Sequence, residues 1–98
     1  MTAFNAVRFR TKPGREEEFV EAHRRLDRNM KGFRRGHLIR TGDRSYCFIA
    51  EWDSFDDIVA ARPRMSGILD GFRDMLEDLG GGLGVTDPVS GEVVAEVR

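Results

Sequence analysis

Three polar side chains in this sequence have the chemistry that acid–base catalysis or anion binding requires: Asn5, His37 and Arg62. His37 follows a glycine in an extended stretch, and its imidazole could act as a general base toward a phenol or an acidic C–H. Asn5 could hydrogen-bond an enolate or peroxide oxygen, and Arg62 could hold an anionic substrate oxygen. We predict that any catalysis depends on these three residues, although their spacing alone does not bring them together. A structural role is the simpler alternative for each.

A second set of side chains could line a pocket for a planar molecule. Trp52 and Tyr46 are large amphipathic rings at the two ends of one apolar segment, where they could stack on a substrate. His23 falls on the apolar stripe of a helix and could supply a hydrogen bond inside a pocket. Met65 and Phe72 belong to the apolar face of a second helix and would border any pocket there. Packing in the core is the alternative for all five.

Composition limits the classes of function. The chain has 98 residues, a net charge of −1 and one cysteine, Cys47. The charge gives no general attraction to nucleic acid, and the two histidines lack metal-ligand spacing, so no metal site is expected. No apolar run approaches about 18 residues, and no signal peptide is recognisable. A single cysteine fits a reducing compartment, and we expect a cytoplasmic protein without a membrane partner.

The elements that must position these residues follow a βαββαβ order. Alternating and periodic apolar residues predict strands at 3–10, 33–41, 46–52 and 93–97 and helices at 15–30 and 55–79. Ser54, with Asp57 three positions later, is predicted to cap the second helix, and Pro63 to interrupt it. This order favours the α+β class and a ferredoxin-like fold, a four-stranded antiparallel sheet with both helices on one face. We expect residues 1–98 to form one domain.

The third predicted strand is apolar on both faces, which indicates a second cover for the sheet. Tyr46 and Trp52 fall on one face, and Cys47 falls on the other. Phe4 and Ala6 of the first strand are predicted to share the face of Tyr46, opposite the face that holds Val7 and Phe9. One face is covered by helices, so the other needs a partner. We predict a homodimer in which two sheets close into a barrel.

The junction from Glu51 to Asp57, Glu-Trp-Asp-Ser-Phe-Asp-Asp, and the Pro-Gly turn before an acidic helix start carry a family resemblance. Together with the βαββαβ order they resemble the dimeric α+β barrel superfamily, most closely its antibiotic biosynthesis monooxygenase-like proteins. Glu51 and Trp52 match the strand end of that pattern and Ser66 matches its serine, but Arg62 stands where the pattern has a histidine. The resemblance covers residues 3–79. The resemblance implies a homodimer that binds a small aromatic or hydrophobic metabolite between the sheet and the helices. It also implies that the protein acts as a monooxygenase and requires no cofactor.

Three other functions are open to a chain of this topology. A non-catalytic dimer that binds or shields a small metabolite is the main alternative. The haem-degrading branch of the superfamily has a tryptophan and a histidine on the second helix, and residues 55–79 contain neither. RNA binding of the RRM type is least favoured, because the segment from Arg44 to Glu51 lacks the glycine and the final aromatic residue of the RNP1 pattern.

Overall fold

The computed structural model describes residues 1–27 and 29–97 and contains, within them, the predicted succession of four strands and two α-helices. The strands are Ala3–Arg10 (β1), Phe33–Gly42 (β2), Ser45–Trp52 (β3) and Asp87–Glu92 (β4), and the helices are Glu16–Arg24 (α1) and Phe55–Asp70 (α2). The strands form one antiparallel sheet in the order β2-β3-β1-β4. The predicted α+β, ferredoxin-like architecture is confirmed.

The core lies between the sheet and the helices and consists of two clusters. One surrounds Phe19 of α1, which is fully buried and meets Phe9 and Tyr46 at ring-centroid distances of 5.3 and 5.4 Å. The other contains Ile58 of α2 and Trp52, each 1% exposed. Burying a large apolar side chain stabilises a fold by about 1.5–3 kcal/mol. Each cluster therefore anchors one helix to the same face of the sheet.

Strand pairing corrects the predicted assignment of the sheet faces. Residues that stand directly opposite each other in neighbouring strands share a face, and Phe9 stands opposite Tyr46. Phe9 and Asn5 therefore share the helix-covered face with Tyr46. The prediction that placed Phe4 and Ala6 there was wrong, because alternation within each strand does not determine the register between strands.

The face of the sheet that the helices leave uncovered is called here the open face, and it is partly apolar. Its apolar side chains are Phe4, Ala6, Ile39, Cys47, Ile49 and Val89. Phe4, Ile39 and Val89 are 39%, 43% and 68% exposed. The expectation that β3 is apolar on both faces therefore holds, with a different set of β1 residues on each side.

α1 ends at Arg24, earlier than predicted. The Asp27 carboxylate accepts a hydrogen bond from the Asn29 backbone N–H at 2.9 Å, and Arg64 of α2 binds the same carboxylate at 2.7 Å. Side-chain bonds to nearby backbone give the chain an alternative to the helix. The remainder of the predicted helix includes Arg28, which lies outside the described residues.

α2 runs without a break through Pro63, so the predicted interruption was wrong. Proline removes the hydrogen bond to the carbonyl of Val59, but Val59 is 42% exposed and water can bind that carbonyl. The helix ends at Asp70 and not at Leu79, and a short 3-10 helix, Arg73–Met75, follows it.

The last strand is β4, and the prediction of a strand at residues 93–97 was wrong. β4 pairs with β1 alone, and Glu92 stands opposite Ala3, where β1 begins. The chain beyond β4 has no further part of β1 to pair with. Pro88 is tolerated within β4 because β4 is an edge strand, where a missing backbone donor costs little.

A glycine in β2 makes room for two aromatic rings. A Cβ at Gly36 would lie 2.6 Å from the Phe48 ring and 3.2 Å from the Phe33 ring, whereas a Cβ at Gly67 of α2 would meet nothing within 4 Å. We expect Gly36→Ala to lower the free energy of unfolding by about 1–3 kcal/mol through overpacking. Gly67→Ala, the matched control, should raise it by about 0.5–1 kcal/mol. Urea unfolding measures both changes, and a Gly36→Ala protein as stable as the wild type would contradict the close packing.

Candidate functional site

A cavity of about 830 Å³ lies between the helix-covered face of the sheet and the two helices. Its wall is mainly apolar, with Val7 and Phe9 from β1, Phe48 from β3, and Leu69 from α2. Exposed residues of the lining, among them Arg62, mark the mouth. The volume is within the range of about 300–1,000 Å³ that holds small molecules in proteins.

Asn5 and Trp52 form a buried polar pair in this wall. The Trp52 indole Nε1–H donates a hydrogen bond to Asn5 Oδ1 at 2.7 Å, and the two residues are 1% and 7% exposed, respectively. Because the indole nitrogen is only a donor, the amide oxygen must face it. The Asn5 amide N–H groups have no bond among the described residues and remain available to a ligand. Phe33 meets the Trp52 ring edge-on at 5.2 Å and helps to fix it.

His23 borders the cavity from α1 as a neutral imidazole of defined tautomer. Its Nδ1 lies 2.9 Å from the carbonyl oxygen of Phe19. A carbonyl only accepts, so Nδ1 carries the proton and Nε2 keeps a lone pair. The ring stacks on Phe72 at 4.7 Å. Burial among these rings lowers the pKa of His23 below its ordinary value of 6.5. His23 can therefore accept a proton or a hydrogen bond from a ligand.

Arg62 lies at the mouth of the cavity on α2. Its Nη2 donates toward Ser90 Oγ of β4 at 3.5 Å, and its guanidinium lies 5.7 Å from the Phe55 ring. Met65 and Phe72, both predicted to border a pocket, also line this cavity. The structure therefore brings together six of the eight predicted site residues: Asn5, His23, Trp52, Arg62, Met65 and Phe72.

Tyr46 and His37 are placed elsewhere. Tyr46 is 3% exposed and packs on Phe19, and it does not line the cavity. His37 is among the residues that line the cavity, but it stands opposite Ile49, so its side chain points to the open face. Its predicted role as a base stays a prediction.

Sequence reasoning missed Ser90 and Thr86, which also line the cavity. Both precede residues 93–97, where the sequence predicts the last strand, so no strand is predicted to bring them to the site. The register of β4 against β1, in which Ser90 stands opposite Asn5, is the signal that places Ser90 in the site. That signal exists only in three dimensions.

Two classes of site find no support in the described residues. No group of three or more histidine, cysteine, aspartate or glutamate side chains there could hold a metal ion. None of the helices described is long and apolar enough to cross a membrane.

The tautomer and the lowered pKa of His23 can be tested by NMR. We expect the midpoint of the His23 ring-proton titration to lie below 6.5, and the ring nitrogen shifts to show a proton on Nδ1 at neutral pH. A His37→Gln variant assigns the resonances. The folded protein binds this proton less readily than the unfolded chain, so the free energy of unfolding should decrease as the pH falls below 6.5. A titration midpoint at or above 6.5 would show that burial does not control the pKa of His23.

Several solved structures share this fold. The cofactor-independent oxygenase SnoaB from Streptomyces nogalater superposes with a TM-score of 0.73 at 21% identity, over 98% of this chain and 96% of that one. A monooxygenase from the ActVA-Orf6 gene of Streptomyces coelicolor, in complex with nanaomycin D, gives 0.73 at 17% identity, over 98% and 90%. A conserved protein from Methanosarcina mazei gives 0.74 at 12% identity, over 94% and 92%.

The sequence itself matches one family model. No curated protein matches the chain at a significant level. The model of the antibiotic biosynthesis monooxygenase family matches residues 2–63, which include Asn5, His23, Trp52 and Arg62. This match covers more than half of the chain and confirms the resemblance found in the sequence. The chain belongs to the antibiotic biosynthesis monooxygenase family.

Proposed function

We propose that this protein binds a small, planar, hydroxylated aromatic molecule in the cavity and oxygenates it without a cofactor. The observation that carries the proposal is the Asn5–Trp52 pair, a fixed and water-poor hydrogen-bond donor group inside an apolar cavity. An apolar cavity with a few oriented polar groups is the usual form of a small-molecule site. The fold relatives include a cofactor-independent oxygenase and a monooxygenase bound to nanaomycin D, which supports the proposal at the level of the family.

The reaction requires little from the protein. A base removes a proton from an activated phenol or from a methylene group beside the ring, and the resulting carbanion reduces oxygen. A C–O bond forms to give a peroxide, whose O–O bond then breaks. One oxygen atom stays in the product as a carbonyl and the other leaves as water, so a methylene and O₂ give a carbonyl and H₂O without another reductant. The protein supplies the base, stabilisation of the anion and exclusion of water.

We assign these tasks to residues on different walls of the cavity. His23 Nε2 is the group that accepts the proton, because His23 is neutral and its other nitrogen is already bonded. The Asn5 amide N–H groups stabilise the substrate anion or the peroxide. Trp52 and Phe72 offer aromatic surfaces to a planar ring. In this proposal His23 replaces His37 as the base.

Replacement of Asn5 tests the role of the amide donors. Asn5→Asp keeps an acceptor for the Trp52 N–H but removes both amide donors, so we expect kcat for oxygen uptake to fall about 10²–10³-fold. The fluorescence of Trp52, the one tryptophan of the chain, should show that the core remains intact. Asn29→Asp is the matched control, because Asn29 is exposed and does not line the cavity.

Oxygen uptake is measured with a panel of hydroxylated anthracene and naphthalene compounds. Binding of these compounds to the wild type without oxygen uptake would favour the non-catalytic alternative. An Asn5→Asp protein with unchanged kcat would remove the amide from the mechanism.

We also propose that two copies pair through the open face. Phe4, Ile39 and Val89 are exposed there, and a partly apolar sheet face of this size is the kind of surface that a second copy covers. We expect a dimer by sedimentation at micromolar concentration, and a shift toward monomer in Ile39→Asp. Leu83→Asp, at an apolar residue that is 49% exposed outside the sheet, is the control and should leave the dimer intact. A monomeric wild-type protein would exclude this assembly.

A further inference from the structure

Among the described residues, the lining of the cavity includes one arginine that has no carboxylate partner. Within the described residues, the arginine and acidic side chains that line it are Arg24, Asp27 and Arg62. Arg24 pairs with Glu21 at 3.1 Å and shares this carboxylate with Arg25, and Asp27 pairs with Arg64 at 2.7 Å. Arg62 has no carboxylate within 4.0 Å in the part of the chain that is described. The mouth of the cavity therefore presents an unpaired guanidinium in a protein whose net charge is −1.

Arg62 lies on the face of α2 that borders the cavity. Ile58, Met65 and Ser66 also line the cavity, and they lie three or four residues from Arg62 along α2. Residues at these spacings share one face of a helix. The guanidinium also lies 5.7 Å from the Phe55 ring, a cation–π distance that limits the motion of the side chain.

Hydrogen-bond donors continue from Arg62 toward the interior. Arg62 Nη2 lies 3.5 Å from Ser90 Oγ, and Ser90 stands opposite Asn5 in the register of β4 and β1. A guanidinium, a hydroxyl and a side-chain amide thus follow one another along the wall, with no carboxylate among them. Such a set of donors favours an anionic oxygen over a neutral one.

We infer that the ligand of this cavity is an aromatic carboxylic acid, whose carboxylate is bound at the mouth by Arg62 with Ser90 while its ring lies deeper, near Trp52 and Phe72. This inference rests on the proposed function for the aromatic part of the ligand. The planar guanidinium can donate two parallel hydrogen bonds to a carboxylate, which a lysine ammonium cannot do. Arg62 is therefore a residue that determines specificity. The negative charge of the ligand carboxylate neutralises the positive charge of its guanidinium.

The test compares two probes that differ in the charge of one group and by one methyl: a hydroxynaphthoic acid and its methyl ester. Trp52 lies in the cavity wall and its fluorescence reports the binding of either probe. We expect the wild type to bind the acid about tenfold or more tightly than the ester. Arg62→Gln should lose this preference and keep its affinity for the ester, and Arg62→Lys should retain part of the preference.

Arg73→Gln is the matched control, because Arg73 is exposed, does not line the cavity and pairs at 2.8 Å with Asp70, which does not line it either. This variant should keep the preference of the wild type for the acid. Equal affinity of the wild type for acid and ester, or a preference that survives in Arg62→Gln, would overturn the inference. A preference for the acid without any oxygen uptake would support the carboxylate site and contradict the proposed oxygenase activity. Failure of the carboxylate site can therefore be distinguished from failure of the proposed function.

Discussion

The hydrogen bond from the Trp52 indole to the side-chain oxygen of Asn5 is buried and connects the two central strands. A buried polar group without a partner costs about 1–3 kcal/mol. The bond forms only in the register that sets Asn5 opposite Ala50 and Trp52 opposite Ala3. That register also decides which side chains face the cavity. The same contact thus favours the correct pairing of β1 and β3 and orients the amide that faces the cavity.

Much of the fold could be predicted from local chemistry. The Ser54 hydroxyl accepts the Asp57 N–H at 3.1 Å, as the capping pattern indicates, and the two central strands lie where alternation predicts them. The errors arose where distant contacts decide the outcome. The position of β4 depends on where β1 begins, the end of α1 depends on an ion pair with α2, and the continuity of α2 at Pro63 depends on the exposure of one turn to solvent.

The candidate site, like the fold, could be predicted only where local residue types decide the outcome. Residue types were sufficient to select six side chains that meet in the cavity, because a ferredoxin-like sheet brings alternate residues of its central strands under the helices. Residue types could not separate His23 from His37. One histidine lies on a helix stripe and the other on a strand, and only the pairing of His37 with Ile49 shows that its side chain faces away from the cavity. Ser90 was missed because its strand was misplaced.

The bond between His23 Nδ1 and the carbonyl of Phe19 has a consequence for robustness. Donor and acceptor are four residues apart within α1, a helix of nine residues. The orientation of the imidazole is therefore encoded in a single helical turn and requires no partner from the sheet or from α2. Substitutions elsewhere that shift α1 slightly carry the ring and its protonated nitrogen along as one rigid group. The residues around His23 can therefore differ in sequence without a change in the tautomer of His23. Such differences would alter the shape of the cavity.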